Sequence, residues 1–148
     1  MKVLSIDPAW DKPYAVATFQ DGIYQDCSLV EINNIGWALS RWMTKKEEMM
    51  VVVEEAYIGV HKKGARNICY AVGGVISICK YFQINYEIMS IKKWKAEHKL
   101  EQLTDKMRLV VMKHLVRKIT HHEIDSIDKQ CAILIGQAWI NKNEKSTI

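Results

Sequence analysis

The sequence predicts an α/β protein with a mixed central sheet, in which an antiparallel three-strand meander lies at one side and helices pack on both faces. The first three strand-like segments follow one another directly, and helix-like and strand-like segments alternate afterwards. The segment MMVVVEEAYI contains a continuous apolar run, which is typical of a central strand covered on both faces. A chain of 148 residues, 49% hydrophobic and 26% charged, fits one folded domain over 1–148.

Each strand has a local signal. KVLSID is short, β-branched and apolar, and it ends at Asp7, where Pro8 favours a turn. AVATFQ and IYQDCSLVEI flank Asp21 and Gly22, a pair that favours a tight turn between antiparallel strands. The central strand runs into charge at Glu54, and NYEIMS predicts a short last strand.

Helical spacing of apolar residues predicts four helices. Asn33 or Asn34 can cap the first helix, and Thr104 can cap the third. The expected spans are roughly 35–47, 67–82, 103–119 and 123–141, followed by a frayed tail over about 141–148. Small residues in the second helix, AVGG, would let another element approach closely, either within the domain or across a dimer interface.

Composition narrows the class of protein. No apolar run approaches the about 20 residues that a membrane helix needs, and the start of the chain lacks the pattern of a signal peptide. We therefore expect no membrane association and a cytoplasmic location, in the host cytoplasm if the protein is viral. The four cysteines are widely spaced without a CxxC pair, which predicts buried thiols and neither disulfides nor a zinc site.

Positive charge is concentrated in one part of the chain. The window 91–118 has nine Lys or Arg against three acids, and a second basic cluster, HKKGAR, occupies 61–66. Such clusters suit a polyanion. A solvated helix face is the more common explanation of a charge run when it is taken alone.

Four carboxylates stand where a strand or helix would be expected to continue its apolar pattern. Asp7 closes the first strand, Glu54 or its neighbour Glu55 closes the central strand, and Asp125 and Asp128 are three residues apart on the predicted last helix. At that spacing both aspartates project from one helix face, where like charges repel. Hard oxygen ligands suit Mg²⁺ or Mn²⁺, and a pair of such ions supports phosphodiester hydrolysis. Singly, each acid is explained as a turn residue or by the helix dipole.

Three motifs in order resemble a known family. IDP at 6–8, VEEAYIG at 53–59 and HHEIDSID at 121–128 resemble the RuvC-type Holliday junction resolvases of the RNase H-like superfamily. The resemblance implies an RNase H-like fold, a homodimer, and two Mg²⁺ ions per active site for which Mn²⁺ can substitute. It implies the metal ligands Asp7, Glu54, Asp125 and Asp128, with Glu55 on the neighbouring position that is usually not a ligand.

The resemblance also implies DNA contacts. Tyr57 falls where the family has a residue that packs against bases at the crossover, although a half-buried strand-end tyrosine explains it equally well. The block SIKKWK…LTDKMR places Lys93 or Lys95, and the catalytic Lys106, near the scissile phosphate. The basic cluster adds three further predicted DNA contacts, which are Lys62, Lys63 and Arg66.

The chain departs from the family pattern in two loops. Ala9 and the bulky Trp10 follow IDP where the family has a glycine, and the loop after the glutamate is short and basic. The preferred cut sequence, which depends on these loops, therefore stays open. The likeness is to a diverged, phage-type member.

The combined prediction is a Mg²⁺-dependent endonuclease that resolves Holliday junctions or other branched DNA with symmetric nicks. One alternative is another RNase H-like nuclease, acting on RNA–DNA hybrids or on ribosomal RNA precursors. A second is a non-catalytic protein that binds branched DNA. Asp125→Asn is predicted to abolish cleavage and spare junction binding. His121 and His122 are predicted to be structural or solvent-facing and are left out of the metal site.

Overall fold

The computed structural model describes residues 1–42, 48–56 and 62–145, with side chains described from Gly64 onward in the last range. Its five strands form one sheet in the order β3-β2-β1-β4-β5. The first three strands pair antiparallel, whereas β1, β4 and β5 pair parallel. The predicted mixed sheet with a meander at one side is confirmed. The strands are β1 Lys2–Asp7, β2 Tyr14–Gln20, β3 Ile23–Val30, β4 Met49–Glu54 and β5 Asn85–Met89.

Helices cover both faces of the sheet. Side chains alternate between the faces along each strand, so Val3 and Val52 enter one core, while Leu4 and Val51 enter the other. The first core packs against α3, α4 and α5, and the second packs against α1 and α2. The predicted two-sided cover of the central strand is confirmed. The helices are α1 Ile35–Trp42, α2 Lys62–Phe82, α3 Ile91–Glu97, α4 Asp105–Thr120 and α5 Ile127–Lys145.

Several predicted boundaries are wrong. The second helix begins at Lys62 instead of near 67, and the last begins at Ile127 instead of near 123 and continues to Lys145. The last helix therefore extends past the start of the predicted tail at 141. The short helix α3 was not predicted. Its N-cap is Ser90, whose side chain accepts a hydrogen bond from the Lys93 amide at 3.2 Å.

The prediction of four buried thiols is also wrong in part. Cys27 and Cys79 are buried and Cys131 is half-buried, but Cys69 is exposed on α2. All four are free thiols. In the described ranges, no helix combines the length and apolar character required to cross a membrane.

The helix α5 lies unusually close to the sheet. The Ser5 hydroxyl donates a hydrogen bond of 2.6 Å to the carbonyl of Ala132. A Cβ atom added to Gly136 would lie 2.4 Å from the Phe19 ring and 2.5 Å from the Ser5 hydroxyl. This contact fixes the depth and position of α5, and thereby of the residues at its start.

Gly136→Ala is expected to lower the free energy of unfolding by about 1 to 3 kcal/mol, because the added methyl group overlaps the buried ring of Phe19. Urea unfolding followed by circular dichroism measures the change. Gly64→Ala is the matched control, since no neighbouring atom in the described part of the chain lies within 4 Å of its added Cβ. That control should leave stability unchanged or raise it by up to about 1 kcal/mol. Equal stability of the two variants would contradict the close contact.

Candidate active site

Parallel pairing brings Asp7 and Glu54 to the same edge of the sheet. The strands β1 and β4 are neighbours in register, with Ile6 opposite Val53. Asp7 and Glu54 are the last residues of these two strands. Neighbouring parallel strands end at one edge, so the two carboxyl groups meet there and share a hydrogen bond.

The start of α5 brings Asp128 to this edge. Ser126 precedes the helix, and its side chain accepts a hydrogen bond from the Lys129 amide at 3.4 Å, as an N-cap residue does. Asp128 therefore lies in the first helical turn. Its charge acts on Asp7, and its Oδ2 atom accepts a 2.6 Å hydrogen bond from the Lys12 Nζ. We call Asp7, Glu54 and Asp128 the acid cluster.

The electrostatics of the acid cluster are unfavourable for three negative charges. Burial, followed by the charges of Glu54 and Asp128, raises the pKa of Asp7 to about 8. The ammonium group of Lys12 opposes this shift. Asp7 is thus protonated near neutral pH and donates its proton in the hydrogen bond to Glu54. A carboxyl group held neutral by burial and by neighbouring carboxylates is typical of functional sites.

Glu54 is oriented by a buried indole. Trp94 on α3 is 1% exposed, and its Nε1–H donates to Glu54 Oε1 at 2.7 Å. Burial raises the pKa of Glu54, while the hydrogen bond from Trp94 and the positive charge of Lys95 oppose that increase. Trp94 therefore fixes one carboxylate oxygen of Glu54 and supports its ionised form.

The structure does not bring Asp125 together with the acid cluster. Asp125 precedes α5, so the prediction that it shares a helix face with Asp128 is wrong. Its side chain is 86% exposed and accepts a 2.9 Å hydrogen bond from the Nζ of Lys113 on α4. The backbone of Asp125 is only three residues from Asp128. A rotation of an exposed side chain is therefore enough to change its direction.

The carboxylates have the chemistry of a divalent-cation site. Within 1–42, 48–56 and 62–145, no three His, Cys, Asp or Glu side chains are already spaced to hold a metal ion. Instead, each acid is stabilised separately. Asp7 is protonated, and Asp128 pairs with Lys12. Glu54 accepts a hydrogen bond from the Trp94 indole and lies near the positive charge of Lys95. Neighbouring carboxylates, of which Asp7 has its pKa raised by burial and by the charges of the other two, bind hard cations such as Mg²⁺, which relieve the repulsion. The donor set therefore fits the predicted ions.

The three lysines that are predicted to contact DNA on α3 and α4 lie on different parts of the protein surface. Lys95 lies beside Glu54 and lines a cleft of about 510 Å³ with Glu55 and Arg108. Lys93 instead acts on Glu87, on the side of α3 where it lines a separate cavity with three other lysines. Lys106 is exposed in the first turn of α4.

The remaining predicted DNA contacts belong to the segment around the start of α2. Arg66 is exposed in the first turns of that helix. Lys62 and Lys63 begin the helix, but their side chains lie outside the described part, as does the whole of Tyr57. His121 and His122 are exposed, as expected.

Sequence reasoning missed two residues that contact the acid cluster. Lys12 belongs to the turn WDKP after β1, and Trp94 is embedded in the lysine-rich SIKKWK. The only signal for Trp94 was a large apolar residue inside a basic run. For Lys12 it was a single cation five residues after Asp7. Neither signal specifies a contact with a residue far away in the chain.

Trp94→Phe is expected to weaken the affinity of the acid cluster for Mg²⁺ by about 10- to 100-fold, because Glu54 loses the donor that orients it. Trp139→Phe is the matched control. The Trp139 indole is 4% exposed and donates to Glu87 Oε2 at 2.8 Å, away from the acid cluster. Both variants should lose similar stability in urea, but in a calorimetric titration with Mg²⁺ only Trp94→Phe should lose affinity. An equal loss of affinity in the two variants would rule out a specific effect on Glu54.

Comparison with known proteins identifies the fold. No family model and no curated protein matches the sequence. Among solved structures, RuvC of Thermus thermophilus matches with a TM-score of 0.74 and 13% identity, over 98% of this chain and 97% of that one. RuvC of T. thermophilus in complex with a Holliday junction substrate matches with a TM-score of 0.72 and 13% identity, over 97% and 96% of the two chains.

A third structure is similar over almost all of this chain. The yeast mitochondrial Holliday junction resolvase Ydc2 matches with a TM-score of 0.60 and 12% identity, over 97% of this chain and 79% of that one. At these identities the likeness establishes a shared fold. The predicted RNase H-like fold of the RuvC type is therefore confirmed.

Proposed function

We propose that this protein is a Mg²⁺-dependent endonuclease that resolves branched DNA, above all Holliday junctions, by symmetric nicks. One observation carries the proposal: Asp7, Glu54 and Asp128 converge at one edge of a sheet whose fold is shared with Holliday junction resolvases. A buried acid such as Asp7, whose pKa is raised by burial and by two neighbouring carboxylates, has a cost in folding free energy when it is ionised. Hydrolysis of a phosphodiester assisted by divalent cations is the chemistry that explains why they are kept together.

Four carboxylates would hold two Mg²⁺ ions, with Mn²⁺ as a substitute. They are Asp7, Glu54 and Asp128 of the acid cluster, joined by Asp125. The bound cations would supply an activated water and stabilise the leaving oxygen, giving a 5′-phosphate and a 3′-hydroxyl. To bind a metal ion, Asp125 would break its ion pair with Lys113, and Asp128 would break its ion pair with Lys12. Both ion pairs involve at least one partner that is about half exposed or more, and surface pairs contribute only about 0 to 1 kcal/mol.

Basic side chains would hold the DNA on either side of the acid cluster. Lys95 and Arg108 line the cleft next to Glu55, immediately beyond the end of β4. Lys106 lies in the first turn of α4, two residues before Arg108, and would act at the scissile phosphate. Lys93, Lys62, Lys63 and Arg66 would extend the contact along the arms. Contacts of this kind bind the sugar–phosphate backbone and weaken steeply with salt.

A homodimer would place two such sites on the two symmetric strands of a junction. The helix α2 offers a surface for it. A Cβ added to Gly73 or Gly74 would meet no atom within 4 Å, so nothing in the described part of the chain uses the close approach these glycines allow. A second copy packed on this face would use it. Four free thiols favour a reducing, cytoplasmic location, in the host if the protein is viral.

A cleavage assay with three substrates tests the function. A four-way junction, an RNA–DNA hybrid and a linear duplex of the same sequence are incubated with and without Mg²⁺. Paired nicks in opposite strands of the junction are expected, only with Mg²⁺. Efficient cutting of the hybrid with an intact junction would instead establish another RNase H-like nuclease. Junction binding without cleavage in Mg²⁺ or Mn²⁺ would establish a non-catalytic binding protein.

A further inference from the structure

A cavity of about 530 Å³ lies between α3, the end of β5 and the last turns of α5. Its lining includes two apolar side chains that are each only 2% exposed, Met89 and Ala138. Four cations from two helices and the turn after α3 also line it, and they are Lys93, Lys99, Lys142 and Lys145. We call this feature the lysine cavity.

The lysine cavity is separate from the acid cluster. On α3, the buried side chain of Trp94 faces Glu54, whereas Lys93 and Ala96 of the same helix line the lysine cavity. A ligand in this cavity would therefore leave the acid cluster accessible.

The lysine cavity has more positive charge than its own acids neutralise. Two of its lysines form ion pairs of 2.6 to 2.9 Å, which join Lys142 to Glu87 and Lys145 to Glu97. The other two, Lys93 and Lys99, are exposed and form no ion pair within the described part of the chain. Four positive charges against two negative charges leave an excess of two. The complementary ligand is therefore an anion.

The strand beside the lysine cavity is an edge strand. β5 is last in the sheet order, so among the described strands none pairs with its outer side. The two faces of this strand differ. Glu87 and Met89 are directed to the lysine cavity, while Ile88 between them is directed to the opposite face and is 44% exposed. An edge strand of this kind can pair with an extended segment of another chain.

Charge and shape distinguish the partners that could occupy this edge. A second copy that paired through its own β5 would bring another set of lysines beside the first, and like charges repel. Double-stranded DNA could contact the lysines, but it is too wide to enter the lysine cavity and has no side chain to cover Ile88. An extended acidic peptide fits both features, because its backbone pairs with β5 and its alternate side chains reach opposite faces.

We infer that the lysine cavity and the outer edge of β5 form a docking site for an extended segment of another protein, in which acidic residues alternate with apolar residues. The acidic side chains would meet the lysines, and the apolar side chains would cover Ile88. This inference goes beyond the proposed nuclease function. It assigns to the protein a partner that binds away from the acid cluster.

Fluorescence anisotropy with a labelled synthetic peptide tests the inference. The probe is a short peptide in which Asp alternates with Val, and the comparison peptide has the same composition arranged in one block of each residue. The wild-type chain should bind the alternating peptide about 10-fold more tightly, because only this order places all the acids on one face of a strand. Hydrogen exchange of the β5 amides should slow in the complex, since the added strand accepts hydrogen bonds from its outer N–H groups.

Two variants test the two faces of the site. Lys99→Glu should weaken binding of the alternating peptide about 5- to 50-fold, because an attraction becomes a repulsion. Ile88→Thr should weaken it about 2- to 10-fold, because the apolar contact is lost while a β-branched residue suited to a strand is kept. Lys118→Glu is the matched control, since Lys118 is exposed on α4 outside the lysine cavity and the change in net charge is the same. It should bind the peptide like wild type.

Other results would overturn the inference. Absence of peptide binding, or equal affinity for the two peptides, would exclude a strand-like docking site. An equal loss of affinity in Lys99→Glu and Lys118→Glu would reduce the effect to net charge. Displacement of the peptide by a linear duplex, with duplex affinity lowered by both Lys99→Glu and Ile88→Thr, would make this surface a DNA contact. Junction cleavage by Lys99→Glu should equal that of wild type, so peptide docking and the nuclease function are tested independently.

Discussion

Asp7→Asn is expected to cut a four-way junction about three orders of magnitude more slowly than the wild-type chain and to bind it with unchanged affinity. Asp7 is the acid on which the charges of both Glu54 and Asp128 act. An amide there removes a negative oxygen ligand, and divalent cations contribute several kcal/mol to charge stabilisation in such reactions. Single-turnover cleavage in Mg²⁺ gives the rate, and a gel-shift titration without metal gives the affinity.

Two further substitutions test whether a loss of cleavage is specific to the proposed metal ligands. Asp125→Asn is expected to lose cleavage to a similar degree, since the proposal has this carboxylate leave Lys113 and join the acid cluster. Asp26→Asn is the control: Asp26 is an exposed acid on β3 and should be dispensable for catalysis. If Asp125→Asn cuts like wild type while Asp7→Asn is inactive, the acid cluster suffices without the fourth carboxylate. Cleavage by Asp7→Asn at the wild-type rate would overturn the site assignment.

The second large effect concerns stability and pH in metal-free buffer. The prediction compares the free energy of unfolding of Asp7→Asn with that of the wild-type chain. The difference, variant minus wild type, is expected to increase by about 2 to 4 kcal/mol between pH 4 and pH 8. Burial and the two neighbouring carboxylates raise the pKa of Asp7 to about 8 in the folded chain. Between the ordinary carboxyl pKa and that value the folded state binds more protons than the unfolded state. The wild-type chain therefore loses stability as pH rises through this window, and the asparagine variant lacks the contribution of Asp7 to that loss.

Urea unfolding at several pH values with a chelator present measures this difference. At about one pH unit below the ordinary carboxyl pKa and lower, the carboxyl group is protonated in both states, so the difference should be constant there, and it should level off again about one unit above the folded pKa of about 8. Adding Mg²⁺ at pH 8 should stabilise the wild-type chain and narrow the difference, because a bound cation favours the ionised acids. A difference that does not change with pH would show that Asp7 is not held protonated by its neighbours.

Half of the candidate site could be predicted from local sequence. KVLSID and MMVVVE are apolar enough to be identified as buried strands, and each ends at its acid. Once both strands are placed in one parallel pair, Asp7 and Glu54 must meet at its carboxyl edge. The mixed sheet, its meander and its two-sided helix cover followed from patterns of the same local kind.

Asp125 and Asp128 show where local reasoning fails. A three-residue spacing places two side chains on one face only if both belong to the helix. Ser126 caps the helix, so α5 begins at Ile127 and excludes Asp125. Serine and aspartate are both common N-cap residues, so the sequence did not favour Ser126 over Asp125 or Asp128 as the N-cap. The two aspartates consequently contact lysines on different elements, Lys12 and Lys113.

The sequence by itself determined the order of the strands and of every described α-helix except α3, the strand ends that carry Asp7 and Glu54, and the basic character of 91–118. These depend on periodicity and composition, which are properties of neighbouring residues. Only the tertiary structure decided what neutralises the acids. Lys12 contacts Asp128 across 116 residues, and Trp94 contacts Glu54 across 40. These contacts depend on how closely α3 and α5 pack against the sheet. That packing, and with it the direction of each side chain, is determined by the hydrophobic core as a whole.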